Sequence, residues 1–277
     1  MPEIPELEAI ASFFNEHLPG CRVASATTRI PPVFRTPASE LRDTLPGDSF
    51  TGVRRHGKFL LFHLDSDRTL AINPMLAGRF QFVAPGTRLP AKTCLVVDLH
   101  DAPQLRYVDE RVMGKIYLLP SGGLEAIPNW TENGPDLLDP ALTEDEWLKR
   151  IRKYRGQVKN VLTNAAFVQG IGNAYSDEIL WEAGINPATA RTDLSVDDLR
   201  RLYRASRSVV EWATPLARAA MVKDGILDYT ERRDFLRVHR RGGEPCPRCG
   251  SPISEITANQ RITSFCRQCQ PGGHALK

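Results

Sequence analysis

The polar and apolar positions of this chain change rhythm twice. At the start, Leu7, Ile10, Phe13 and Phe14 recur at helical spacing behind Pro2 and Pro5, which lack a backbone donor and so tolerate a helix start. The pattern predicts a helix over residues 5–18, with acidic side chains near its positive end. From residue 22 to 119 short β-type runs take over, parted by Gly, Pro and Asp. Strands are predicted at 23–28, 49–56, 59–64, 69–72, 78–82, 93–99, 105–108 and 115–118. Such a series makes an antiparallel sandwich or barrel whose loops carry the functional side chains. Residues 120–138 are rich in Pro, Gly and Asn and read as a linker. The helical period then returns, over 143–154, 158–164, 174–182 and 196–214. Residues 221–241 have little periodicity of either kind.

The fold class this implies is multidomain α/β. An N-terminal β-sandwich with flanking helices occupies 1–120, a linker 121–136, a helical domain 137–240, and a C-terminal module 241–277. At 277 residues and 42% apolar content the chain can bury a real core, in two domains or so.

Cysteine spacing changes the picture of the last module. Cys246 and Cys249 form one close pair and Cys266 and Cys269 another, with sixteen residues between the pairs. Four thiolates in this arrangement close a tetrahedral shell around Zn²⁺, with two disulfides as the alternative. All four positions are taken by Cys, which leaves none for a metal-bound water, so the zinc is structural. A ribbon this small depends on its metal to fold. Cys21 and Cys94 read as buried small side chains in a protein of a reducing cytosol.

Net charge is only +3, yet residues 232–277 hold nine Lys and Arg against three Asp and Glu. A basic terminal module fits a polyanion such as DNA or RNA, or else a solvated basic face. No run approaches 18 apolar residues, and no basic region followed by an apolar run opens the chain. Membrane span and secretion are therefore disfavoured, and a cytoplasmic location is expected, beside the nucleoid in a bacterium.

Three stretches suggest chemistry. Removal of Met1 would expose the secondary amine of Pro2, a nucleophile toward an aldehyde-like carbon, with Glu3 and Glu6 near enough to move protons; the plainer reading is a capped helix. Arg54, Arg55, His56 and Lys58 cluster about Gly57, either as a solvated strand end or as a phosphate contact. Gln169-Gly-Ile-Gly172-Asn173 forms a compact turn before a helix, with backbone donors suited to phosphate, although any tight helix-turn-helix could use the same glycines.

Taken in order, Pro2-Glu3-Ile4-Pro5-Glu6, Gly57-Lys58, Asp109-Glu110-Arg111, the run from Gly170 through Asn173-Ala-Tyr175 to Glu178, and the ribbon with Arg261-Ile-Thr263 resemble the formamidopyrimidine-DNA glycosylase and endonuclease VIII family over the full chain. The resemblance implies a helix-two-turns-helix domain and a bifunctional DNA glycosylase/AP lyase. Pro2 would be the nucleophile, Glu3 the general acid/base, Glu6 its assistant, and Lys58 a contact to phosphate beside the lesion. Lys159, Asn173, Arg261 and Arg111 would bind DNA, the last facing the orphaned base. Strand cleavage would follow by β,δ-elimination. The implied partner is double-stranded DNA with a damaged base or abasic site, bound by a monomer with one structural Zn²⁺.

Departures from the family text bear on substrate. The void-filling methionine's place falls on Leu76, with Met75 beside it, so either fills the hole left by the flipped base. Met113 stands where the formamidopyrimidine-type enzymes have Phe, and a thioether can wedge between bases. Thr163-Asn164-Ala165 and His239-Arg240 also depart from the usual text. Residues 221–238 are several positions too short for the loop that closes over 8-oxoguanine. Chemistry at the sugar is thus better supported than base identity. The competing readings are a non-catalytic binder of damaged or structured DNA, and a zinc-ribbon adaptor unrelated to repair.

Overall fold

The computed structural model describes every residue except 229–232, 259 and 273–277. The chain falls into two compact units: Met1–Trp130 with Thr214–Arg233, and Thr131–Ala213 with Asp234–Lys277.

In the first unit, helix α1 (Ile4–His17) is followed by β1 (Val23–Thr28), α2 (Ala38–Thr44), β2 (Phe50–His56), β3 (Phe59–Leu64), β4 (Arg68–Asn73), β5 (Gly78–Val83), β6 (Thr93–Leu99), β7 (Gln104–Asp109) and β8 (Lys115–Pro120). After the excursion into the second unit come β9 (Val222–Lys223) and β10 (Ile226–Asp228). The strands make two antiparallel sheets, ordered β2-β3-β4-β8 and β1-β6-β7-β5-β10-β9. Buried phenylalanines of α1 and of both sheets supply an aromatic core. Phe14 of α1 lies 5.4 Å from Phe62 of one sheet and 6.2 and 5.9 Å from Phe80 and Phe82 of the other, edge to face in each case. One helix ring therefore joins both sheets. Truncating it to Ala should cost about 3–5 kcal/mol.

The predicted strands all form. The segment after residue 221 differs from the aperiodic stretch expected, because Asp224-Gly225 turns the chain back into a hairpin. Both residues have positive φ, 52° and 72°, and they form the two-residue loop that pairs β9 with β10. Leu227 and Asp228 then pair with Phe82 and Gln81 and extend the larger sheet.

In the second unit, α3 (Glu144–Ile151) is capped by the Thr143 hydroxyl, which accepts from Glu146 N at 3.3 Å. Helices α4 (Val158–Leu162) and α5 (Asn173–Ala183) flank the Gly170–Gly172 turn, and Gly184 ends α5 at φ 69°. Helix α6 spans Val196–Met221, past the end expected before Pro215, so that its residues from Thr214 onward belong to the first unit. Buried Val210, Ala213, Ala217 and Met221 continue one stripe through the proline, and their burial outweighs the one missing backbone donor. The ribbon is the hairpin β11 (Ser254–Ala258) and β12 (Arg261–Phe265), in register from Ser254 opposite Phe265 to Ala258 opposite Arg261. No helix among the described residues is long and apolar enough to cross a membrane.

Candidate active site and nucleic-acid interface

In the first unit the chemistry-bearing residues gather at the start of α1. Pro2 is buried, and Glu3 and Glu6 are 2% and 3% exposed. The two carboxylates form a reciprocal cap: Glu3 N donates to Glu6 Oε2 at 2.9 Å, and the Glu3 side chain accepts from the Glu6 backbone. Capping thus fixes both acids beside Pro2. Arg233 completes the cluster. Its Nε donates to Glu6 Oε1 at 2.8 Å, its Nη2 to the Met1 carbonyl oxygen at 2.7 Å, and its Nη1 lies 3.9 Å from Glu3 Oε1. Sequence reasoning missed this residue, since nothing in the weakly periodic 221–241 text connects it with the N-terminus. Its four preceding residues, 229–232, lie outside the described residues, and with them the middle of the shortened 221–238 segment.

The turn that carries Lys58 is tied to the same helix. Arg55 is buried, neither a solvated strand end nor a phosphate contact; its Nε meets Glu8 Oε1 of α1 at 2.5 Å and its Nη1 donates to Gly57 O at 2.9 Å. Lys58 itself is half-buried.

Two further turns carry the candidate wedges. Asn73 Oδ1 accepts from Met75 N at 3.0 Å, which holds Met75 at φ 50° and leaves Leu76 exposed at the tip. Met113 and Arg111 are exposed on the β7–β8 turn. That turn is built on Asp109, fully buried, whose carboxylate accepts from the backbone of Arg111, Met113 and Gly114 at 3.0, 2.8 and 2.6 Å. The Tyr107 hydroxyl sits between the turns, donating to Pro74 O at 3.5 Å and to Asp109 at 3.4 Å. Burial, then the nearby Asp109 charge, pushes its pKa far up, so it stays a donor. Gly78 and Gly114 both pack on this hydroxyl: a Cβ would fall 2.2 and 2.0 Å from it. Arg79 and Glu110 add a 2.6 Å ion pair between the same turns.

In the second unit, Lys159, Asn173 and Arg261 line one cleft of about 420 Å³ together with Asn160, Ile256 and Thr263. Asn173 opens α5, and its Nδ2 donates to Ile262 O at 2.8 Å. Arg261 is exposed at the tip of the ribbon hairpin. Lys159 is buried, and Nζ donates to Asp177 Oδ1, Ile262 O and Thr263 Oγ1 at 2.6, 3.0 and 2.8 Å. Asp177, fully buried, also accepts from His239 Nδ1 at 2.7 Å and Ser264 N at 3.0 Å, so the unusual His239 is satisfied. Its neighbour Glu178 accepts from the backbone of Arg237, Val238 and His239 at 2.9, 2.8 and 2.8 Å. Burial raises the Glu178 pKa against those three donors. Asp177 thereby fastens the ribbon, and Glu178 the segment leading into it, to the helix that Asn173 opens.

The sulfurs of Cys246, Cys249, Cys266 and Cys269 lie within 4.8 Å of one another, the donor set of a closed zinc site. Hydrogen bonds from Ser251 hold the Cys249 thiol down to about 6, favouring the ligating thiolate. Trp181 Nε1 donates to Cys246 Sγ at 3.4 Å, and the Arg248 guanidinium stacks on its ring at 4.2 Å. The four cysteines hold one structural zinc.

Three family models match in succession. The formamidopyrimidine-DNA glycosylase N-terminal domain covers residues 1–116, the H2TH domain of the same enzymes 133–223, and the zinc finger found in FPG and IleRS 243–272. The formamidopyrimidine-DNA glycosylase of Pelotomaculum thermopropionicum is 33% identical over 275 residues, 98% of this chain and 99% of that one. The chain belongs to the formamidopyrimidine-DNA glycosylase family. The enzyme of that name from Moorella thermoacetica is 34% identical over 260 residues, 92% of this chain and 94% of its own. Among solved structures, Lactococcus lactis formamidopyrimidine-DNA glycosylase bound non-covalently to DNA containing an AP site superposes with a TM-score of 0.85 at 25% identity, and a point variant of that enzyme in complex with Fapy-dG DNA with 0.88 at 26%. Each covers 98% of this chain and all of the other. Family membership makes the protein a DNA glycosylase of base excision repair, with the family's N-terminal sheets, H2TH domain and zinc finger.

Proposed function

We propose that the protein is a bifunctional DNA glycosylase/AP lyase that acts as a monomer on double-stranded DNA holding a damaged base or abasic site, at the nucleoid of a bacterium. The observation that carries this reading is the pair of buried carboxylates, Glu3 and Glu6, capping α1 directly beside Pro2. After Met1 removal the Pro2 amine attacks C1′ and the base departs with the glycosidic electron pair. Glu3 takes the proton from the Pro2 nitrogen and passes it to the ring oxygen as the sugar opens to the iminium, with Glu6 holding the Glu3 backbone in place. β,δ-Elimination then cuts both sides of the sugar. Lys58, Asn173 and Arg261 contact backbone phosphates, and Lys159 holds the ribbon hairpin that presents Arg261. Arg111, Met113 and Leu76 or Met75 occupy the space of the flipped nucleotide and face its partner base. Zinc supplies no step; it fixes the fold of the ribbon.

The test is borohydride trapping on a duplex with one abasic site. A covalent adduct is expected from the protein lacking Met1, and none from Pro2→Gly or from protein that retains Met1. No adduct from folded, zinc-loaded protein would support the non-catalytic binder instead. Given the shortened 221–238 segment, a plain abasic site should be cut at least as readily as 8-oxoguanine is removed. Much faster 8-oxoguanine excision would refute that preference.

A further inference from the structure

We propose that Arg233 is a further active-site residue, which clasps Glu3 and Glu6 and donates a hydrogen bond to the sugar ring oxygen as that oxygen leaves C1′. The proposal rests on the Pro2 lyase reading.

Arg233 is 13% exposed, between carboxylates 2% and 3% exposed. Its guanidinium is always protonated, and charge compensation of Glu6 would need only the 2.8 Å bond from Nε. The fork reaches further, with Nη2 donating to the Met1 carbonyl oxygen at 2.7 Å. That carbonyl carbon is the atom bonded to the Pro2 nitrogen. Once Met1 is removed and the amine has added to the sugar, C1′ takes that carbon's place. The groups on C1′ after base departure are O4′, C2′ and hydrogen, and only O4′ accepts a hydrogen bond. An oxygen on the carbon bonded to Pro2 thus inherits the donor that Met1 O has here.

The step balances on residues already in the cluster. The Pro2 nitrogen lone pair forms the C=N bond, the C1′–O4′ bond breaks with its pair going to O4′, and the proton O4′ needs is the one Glu3 took from the Pro2 nitrogen. Arg233 transfers nothing. It places a charged donor where negative charge develops, which lowers the barrier to ring opening without strengthening ground-state binding. A lysine could not do both tasks, because its point charge lacks the fixed fork that spans Glu6 and a second acceptor.

The experiment uses full-length, zinc-loaded protein without Met1, a duplex with one abasic site, and borohydride trapping under single-turnover conditions. In Arg233→Ala the trapping rate should fall by about 10²-fold, the loss typical of one donor aimed at a developing oxyanion. Affinity for a duplex carrying the tetrahydrofuran analogue should be unchanged, and guanidinium ion below denaturing concentration should restore part of the rate. Arg233→Lys, which keeps the charge beside Glu6, should also be slow, and it carries the test if Arg233→Ala loses its thermal transition. Trapping at the wild-type rate in folded Arg233→Ala or in Arg233→Lys overturns the proposal. A wild type that gives no adduct refutes the lyase reading, whereas equal adduct in wild type and variants refutes only the role of Arg233.

Discussion

Replacing Asp177 by Ala should unfold the second unit well below the wild-type temperature. The carboxylate is fully buried and collects the Lys159 ammonium at 2.6 Å, His239 Nδ1 at 2.7 Å and Ser264 N at 3.0 Å. Alanine takes the counter-charge from a lysine that is only 7% exposed, and breaking a buried ion pair from one side costs about 3–5 kcal/mol. The Ser264 N–H and His239 lose an acceptor as well, at about 1–3 kcal/mol for each buried group left unsatisfied. Relaxation of the ribbon toward water will recover part of this, so about 4 kcal/mol is a fair total. For a unit of this size that lowers Tm by about 10–20 °C. Differential scanning calorimetry reads the shift directly. The double variant Lys159→Met/Asp177→Leu removes both charges and should return much of the lost stability, since a packed apolar pair is often as stable as a buried ion pair. It should still bind abasic-site DNA more weakly, because the ties from Lys159 Nζ to Ile262 O and Thr263 Oγ1 go with it. A shift under about 3 °C in Asp177→Ala would refute the placement of this charge at the centre of the unit.

Chelating the zinc should weaken binding to abasic-site duplex, measured by fluorescence anisotropy with metal loss verified, while the Pro2 amine keeps its reactivity toward a small aldehyde; unchanged DNA affinity would contradict the role given to the ribbon. Gly114→Ala puts a Cβ 2.0 Å from the Tyr107 hydroxyl and should cost about 1–3 kcal/mol in urea denaturation, with Tyr107→Phe in the same chain giving part of it back. Additivity of the two changes would show that the hydroxyl is not the obstacle. The Asp198 carboxyl is held below its ordinary value chiefly by the Ser195 hydroxyl, at 2.6 Å, at the start of α6. A depressed folded-state pKa means stabilisation that is present above the unfolded value of 3.8 and is lost as pH falls toward the folded one. The Tm gap between wild type and Asp198→Asn should therefore be full at pH 7 and shrink below about pH 4; a gap that widens in acid would reverse the sign.

Much of this molecule was legible because its signals are local. Short β-type runs parted by Gly, Pro and Asp place eight of the ten strands described in the two sheets, and paired cysteines announce the metal before any fold is known. The motif order singled out Pro2, Glu3, Asn173 and Arg261, though geometry alone could bring Asn173 and Arg261 to one cleft. What stayed hidden depends on partners distant in sequence. Arg233 meets Glu6 across 227 positions, and no period or spacing encodes such a contact. Asp177 carries no spacing signal of its own, and only the folded structure reveals that it meets Lys159, His239 and Ser264. Arg55 misled because strand alternation treats an arginine as outward, whereas its bond to Glu8 lets it turn in. Pro215 misled through a sound local rule that a continuing buried stripe overrode.

The Phe14 ring that joins both sheets has a practical consequence for handling the protein. Chain termini are ordinarily the loosest and most tolerant part of a domain, the natural place for a purification handle. Here α1 is held against both sheets through Phe14 and its first turn is clasped by Arg233, while Pro2 is buried. Any tag ahead of Met1 would keep the proline nitrogen as an amide, without nucleophilic character. Recombinant protein for activity measurements should carry its handle after Lys277, and an N-terminal fusion would serve as a ready-made inactive control.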